Sequence, residues 1–265
     1  MSGRGLCKLK AGKDETNRMS VGQNKLIVAL DVETASEARR LLTLLRGIAG
    51  MFKIGSQLFT AAGPDFVKEV VKTGEKVFLD LKYHDIPNTV AAAGVEATRL
   101  GVSMFNVHAS GGGAMMRRTA DAVAECAASE GLERPTILGV TVLTSSDDAT
   151  LREIGMQEKA EAIVVRLAQL TANSGLDGVV ASAREVSLVR AAVAKPGFTI
   201  VTPGVRPTGV DKDDQSRVMS PREAIAAGAD YLVVGRPIIA APDPARAAEL
   251  IIDEMRTALP ATVVE

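Results

Sequence analysis

Several apolar runs in this sequence end in residues able to move a proton or hold an anion. The densest is Val77-Phe78-Leu79-Asp80-Leu81-Lys82, where period-two alternation puts Phe78, Asp80 and Lys82 on one face and Val77, Leu79 and Leu81 on the other. A carboxylate and an ammonium therefore project the same way. Lys53, in the preceding run Met51–Ile54, brings a second ammonium, and Asp85 in the loop Tyr83–Thr89 supplies another acid. Unpaired buried charge costs several kcal/mol, a cost that alternating signs offset while holding each side chain in place. Held this way, Lys82 is a positioned, protonated acid suited to protonating a developing carbanion. A salt-bridge network that only closes the floor of a barrel is the other reading of the same charges.

A second constellation suits an anion. Thr202-Pro203-Gly204-Val205-Arg206 and Gly235-Arg236-Pro237 each place glycine beside arginine after an apolar run. Glycine lets backbone N–H groups approach an anion, and arginine adds a fork of charge-assisted hydrogen bonds. The segment from Arg206 to Met219 is long, polar and without helical spacing, which suits a lid.

Positioning these residues requires a particular scaffold. Apolar or β-branched runs occur at Leu26–Leu30, Met51–Ile54, Val77–Leu81, Met104–Val107, Ile137–Val142, Gly178–Ala181, Phe198–Val201 and Tyr231–Val234, each followed by a segment with helical spacing. Ser36–Arg46 puts Ala38, Leu41, Leu42 and Leu45 on one face, and Ser220-Pro221 with Glu223 reads as an N-cap, N1 proline and capping box. Alternation of this kind predicts parallel strands with right-handed crossovers, and eight units predict a closed (β/α)₈ TIM barrel over residues 25–265. A doubly wound open sheet is the competing architecture. Asp31, Lys53, Asp80, Lys82, His108, Thr144, Arg206, Gly235 and Arg236 all fall at or beyond the carboxyl ends of these runs. Those ends converge on one face of a barrel, where phosphate commonly sits on the loops after strands seven and eight beside a short helix.

Composition agrees with this class. The 265 residues are 46% hydrophobic and carry 31 Lys+Arg against 32 Asp+Glu, so bulk attraction to nucleic acid or an anionic membrane is not expected. With no tryptophan and 3% aromatics, base stacking is poorly served and the core must be aliphatic. Cys7 and Cys126 lie far apart without metal-ligand spacing, and no long apolar span or signal segment is visible, so the reducing cytoplasm is the expected location. Residues 1–24 read as a disordered tail, an expression remnant or the product of a misassigned start, with Met19 as another first residue. A nucleic-acid-binding arm is a more specific alternative that a short mixed-charge segment supports poorly. His108 is expected to make a structural hydrogen bond, His84 to lie in a loop or interface, and Met115, Met116 and Cys126 to pack. Gly111-Gly112-Gly113 does not form the GxGxxG of a dinucleotide fold.

At these residues the chain resembles a known family. Asp80-Leu81-Lys82-Tyr83-His84-Asp85-Ile86-Pro87-Asn88-Thr89 is similar to the DxKxxDIPxT signature of the orotidine 5′-phosphate decarboxylases, and Ala29–Asp31, Phe52–Gly55, Val140–Ser145, Thr202–Arg206 and Val234–Pro237 follow in the family's order, as in its bacterial branch. The resemblance runs from about Lys25 to the last helix. It implies decarboxylation of orotidine 5′-phosphate to UMP, the last step of de novo UMP synthesis, without cofactor or metal. Asp31 and Lys53 would hold the ribose hydroxyls, Thr144 the pyrimidine, and Gln215, Gly235 and Arg236 the phosphate, with Arg206 nearby. Asp80 would face the substrate carboxylate and Lys82 would protonate C6. Asp85 and Thr89 would reach the neighbouring subunit's site, so a homodimer is implied, and Ile86, between them in the signature, would bind the substrate. Magnesium-dependent sugar-phosphate enzymes of the same superfamily are the nearest alternative, but they use an acid where this chain has Lys53, and a cation there repels magnesium. A non-catalytic nucleotide-binding barrel is the other.

Overall fold

A computed structural model describes residues 22–207 and 219–258. Eight strands, β1 (Leu26–Ala29), β2 (Met51–Gly55), β3 (Val77–Tyr83), β4 (Met104–His108), β5 (Thr136–Val140), β6 (Gly178–Val180), β7 (Thr199–Pro203) and β8 (Tyr231–Val234), close into a barrel in chain order. Every neighbouring pair is parallel, including β8 with β1. Each expected apolar run becomes a strand, with ends shifted by no more than two residues.

Helices separate the strands throughout. They are α1 (Ala35–Leu45), α2 (Ser56–Lys72), α3 (Pro87–Arg99), α4 (Gly113–Glu130), α5 (Asp148–Glu153), α6 (Ala160–Asn173), α7 (Val186–Ala192) and α8 (Pro221–Ala226), with α9 (Arg236–Ile239) and α10 (Pro244–Arg256) after β8. Their sequences explain their ends. Thr34 caps α1, its hydroxyl accepting the Glu37 N–H, and Ala38, Leu41, Leu42 and Leu45 are the buried face. Ser220 and Glu223 form the expected capping box of α8.

Because helices cover the outside and side chains fill the inside, the strands are buried on both faces and read as continuous apolar runs. Outward residues such as Leu26, Val28, Phe52, Ile54, Val77, Leu79 and Phe105 pack on the helices, together with Met115 and Met116 of α4. Cys126 is buried on α4 as well. Ile27, Ala29, Met51, Phe78, Met104, Leu138, Val201 and Val233 form a separate cluster inside the barrel. This plug is apolar at the amino-terminal end, and the next inward positions on β2, β3 and β4 are Lys53, Asp80 and Asn106.

Two similar ion pairs close the amino-terminal end. Asp177, just before β6, accepts the Ile137 N–H of β5 and Arg134 Nη1, each at 2.8 Å. Asp230, just before β8, accepts the Ile200 N–H of β7 at 2.7 Å and pairs with Arg190. Residues 22–24 form a helical turn that also belongs to this packing: a Cβ on Gly22 would lie 2.8 Å from Arg256 Cγ, and Gln23 Nε2 donates to Gly47 O at 2.6 Å. The packed chain therefore begins ahead of Lys25, while Cys7 and Met19 lie outside the described residues. No helix among the described residues is long and apolar enough to cross a membrane.

Candidate active site

At the opposite end the inward positions of β1–β3 carry the charges. Asp31 lies just beyond β1, Lys53 within β2, and Asp80 and Lys82 on β3. Their side chains form a chain of alternating sign. Lys53 Nζ lies 2.8 Å from Asp31 Oδ1 and 3.4 Å from Asp80 Oδ2, and Lys82 Nζ lies 2.7 Å from Asp80 Oδ1. Lys53 and Asp80 are 8% and 9% exposed, so their desolvation must be offset by these contacts. Gly55, beside Asp80 in the next strand, leaves space for the arrangement: a Cβ there would stand 3.0 Å from Lys53 Nζ and 3.4 Å from Asp31 Oδ1.

These four residues line one wall of a cavity of about 350 Å³. Thr144 and Ser145 after β5, Gly204 and Arg206 after β7, and Gly235 and Arg236 after β8 line the rest, so residues more than 200 positions apart in the chain share one space. Among the described residues, Arg206 Nε is buried without a hydrogen-bond partner, while its backbone N–H donates to Met219 O at 3.1 Å. The two ends of the expected lid are thereby tied together, and Gln215 lies outside the described residues.

Three expected site residues stand apart from this cavity. Asp85, Ile86 and Thr89 are exposed and do not line it, and Asp85 Oδ1 accepts the Ile86 N–H at 2.6 Å in the turn that leads into α3. The fourth charge of the array within one chain is thus Asp31, not Asp85. The reason is geometric, because β3 ends at Tyr83 and the chain has turned away from the barrel axis by Asp85.

His108, at the end of β4, meets the ring of His84, with centroids 5.3 Å apart and planes at 40°. That ring contact takes the place of the hydrogen bond expected of it. Burial, followed by the neighbouring His84 and Lys82 charges, pushes the His108 pKa below its ordinary value, against an opposing pull from Asp80. Its imidazole is therefore neutral at pH 7. Tyr83, edge-on to Phe105, has its phenol pushed up to about 12 by burial and is no acid near neutrality.

Sequence reasoning missed Asn106, fully buried and bonded to both Asp80 and Lys82. Its signal was present, because Met104, Asn106 and His108 alternate along β4 as Phe78, Asp80 and Lys82 do along β3. Among the described residues no group of three or more His, Cys, Asp or Glu could hold a metal ion.

Comparison with known proteins adds an independent line. Residues 24–251 match the family described as orotidine 5′-phosphate decarboxylase / HUMPS. An orotidine 5′-phosphate decarboxylase of Syntrophotalea carbinolica is 56% identical over 237 residues, which cover 89% of this chain and 97% of that protein. One from Geobacter sulfurreducens is 54% identical over 233 residues, covering 88% and 96%. Among solved structures, the orotidine 5′-phosphate decarboxylase of Lactobacillus acidophilus superposes with a TM-score of 0.76 at 36% identity, covering 87% of this chain and 98% of that one.

Proposed function

Because the chain belongs to the orotidine 5′-phosphate decarboxylase / HUMPS family, we propose that the alternating array Asp31–Lys53–Asp80–Lys82 is its catalytic apparatus and the arginine-bearing loops its phosphate clamp. The reaction is the decarboxylation of orotidine 5′-phosphate to UMP and CO₂, a lyase step of pyrimidine biosynthesis. The bond between C6 and the carboxylate breaks, CO₂ leaves, and the electron pair stays on C6 in an orbital that cannot delocalise into the ring. Stabilisation near the upper end of the roughly 8–23 kcal/mol typical of enzymes is then required. Lys82 Nζ supplies it first as a neighbouring cation and then by giving C6 a proton, which solvent restores.

Asp80 both holds Lys82 at 2.7 Å and faces the substrate carboxylate, where like charges raise the energy of the bound reactant. Lys53 and Asp31 hold the ribose hydroxyls, and Thr144 lies at the pyrimidine. Gly235, Arg236 and Arg206, with Gln215, take the phosphate; the unspent Arg206 Nε supports this. Binding energy from the remote phosphate organises the charged wall, so the nucleoside without phosphate should react far more slowly. Lys53 Nζ occupies the space between the Asp31 and Asp80 carboxylates, which speaks against the magnesium-dependent sugar-phosphate reading.

A homodimer completes the site in this reading, with Asp85, Ile86 and Thr89 given to the neighbour's cavity. Its support is that all three are solvent-facing in one chain and that Ile86 is a large apolar side chain left 66% exposed. The buried free thiol of Cys126 fits the reducing cytoplasm as the location.

The test is the fall in ultraviolet absorbance when EDTA-treated protein meets orotidine 5′-phosphate, with Lys82→Ala as control. Conversion to UMP that the variant loses supports the reading, and no conversion by folded protein overturns it. For the dimer, Lys82→Ala and Asp85→Ala chains, each inactive alone, should regain partial activity when mixed. Failure to complement despite verified subunit exchange counts against sites shared between chains.

A further inference from the structure

We infer that Asn106 is a positioning residue for the charged array, acting through Asp80 and Lys82; this rests on the cavity being the decarboxylase site. Phe78 pairs with Met104 and Leu79 with Phe105, but the next matched pair of β3 and β4 is Tyr83 with Val107. Asp80, Leu81 and Lys82 thus stand opposite Asn106 alone. A bulge of this kind leaves ladder groups unpaired and bends the strand. Lys82 adopts φ +50°, and it is the one non-glycine residue at positive φ among those described.

Asn106 fills the gap with its side chain. Its Oδ1 accepts the Lys82 backbone N–H at 2.8 Å, and its Nδ2 donates to Asp80 Oδ1 at 2.7 Å. The partners leave the amide one orientation, since a backbone N–H can only donate and a carboxylate only accept. Asp80 Oδ1 also receives Lys82 Nζ at 2.7 Å, so the contacts return to the residue they started from. One neutral amide thereby aims the carboxylate and holds the left-handed backbone from which the Lys82 ammonium projects. A leucine would leave the Lys82 backbone N–H without its acceptor and remove one of the donors that orient Asp80, at a position that is itself 0% exposed.

The test compares Asn106→Ala and Asn106→Asp with the parent, measuring turnover of orotidine 5′-phosphate per folded protein across pH. Asn106→Ala should lower kcat about 10²-fold, the scale of a catalytic group misplaced by an ångström, and change KM far less. Asn106→Asp is equal in size and keeps the acceptor for Lys82 N–H, but it sets a second carboxyl against Asp80. Two carboxyls at hydrogen-bond distance share one proton. Its activity should therefore approach that of the parent at acid pH and fall as pH rises and the proton is lost. The groups facing this position are Asp80 and Lys82 on β3, Lys53 on β2 with Asp31 behind it, and His108 on β4, while its β5 partner Leu138 is uncharged. All remain in the parent, so the difference between the two profiles isolates the new carboxyl.

Should Asn106→Ala fail to fold, the isosteric variant carries the measurement. Parent-like kcat and pH profile in folded Asn106→Asp, with only a lower thermal midpoint, would show a structural role and overturn the inference alone. An inactive parent overturns the decarboxylase reading and this inference with it.

Discussion

The two ends of this barrel handle charge in opposite ways. At the amino-terminal end each acid has one arginine and one strand N–H: Asp177 with Arg134 and Ile137, Asp230 with Arg190 and Ile200. The N–H contacts tie each strand to its neighbour, and Arg190 of α7 ties a helix to the start of β8. At the carboxyl end four charges contact one another in series and line open space, and Lys82 is held at φ +50°. A side chain in that backbone region costs about 1–2 kcal/mol. The first arrangement lowers the energy of the fold, and the second stores ordered charge for a ligand.

That contrast breaks first at Lys82. Lys82→Ala should cost about 10⁴-fold or more in kcat, because both the cation and the proton donor go, yet thermal unfolding should change little. A large loss of stability would show that the array serves the fold. Arg236→Ala comes next, lowering kcat/KM for orotidine 5′-phosphate by about 10- to 100-fold, the scale of one charge-assisted hydrogen bond, while leaving the slow reaction of the nucleoside without phosphate unchanged. Equal losses on both compounds would remove Arg236 from the phosphate.

At the other end the pattern should invert. Asp230→Ala strands the buried Ile200 N–H and takes from Arg190 its carboxylate, leaving the guanidinium only the Gly228 and Phe198 carbonyls, so unfolding in denaturant should show a loss of about 1–3 kcal/mol with kcat per folded protein unchanged. The smallest effect concerns His108. Its folded pKa lies below its unfolded value, so its contribution to stability is complete above about 6.5 and is lost as pH falls from there through the folded pKa. His108→Gln should flatten that acid-side slope in pH-dependent unfolding, and an unchanged slope would locate the proton uptake elsewhere.

Much of this was legible in the sequence. The eight strands, the inward face of β3 and the loops bearing Arg206 and Arg236 follow from period-two alternation and from apolar runs broken by glycine and arginine, which are local properties. Asp85 misled because distance along the chain stood in for distance in space, and the turn before α3 carries it away from its own cavity. Asn106 was passed over because an amide inside an apolar run announces no charge.

By itself the sequence determined which side chains share a face and that strands and helices alternate eight times, the number a closed barrel requires, because pleat, helical period and hydrophobic burial act within a few residues. Only the tertiary structure decided that Lys53 lies between Asp31 and Asp80, that three residues of β3 face one of β4, and that Asn106 spans the gap. Those outcomes depend on the register between strands brought together by barrel closure. A one-residue slip would turn every such side chain to the other face.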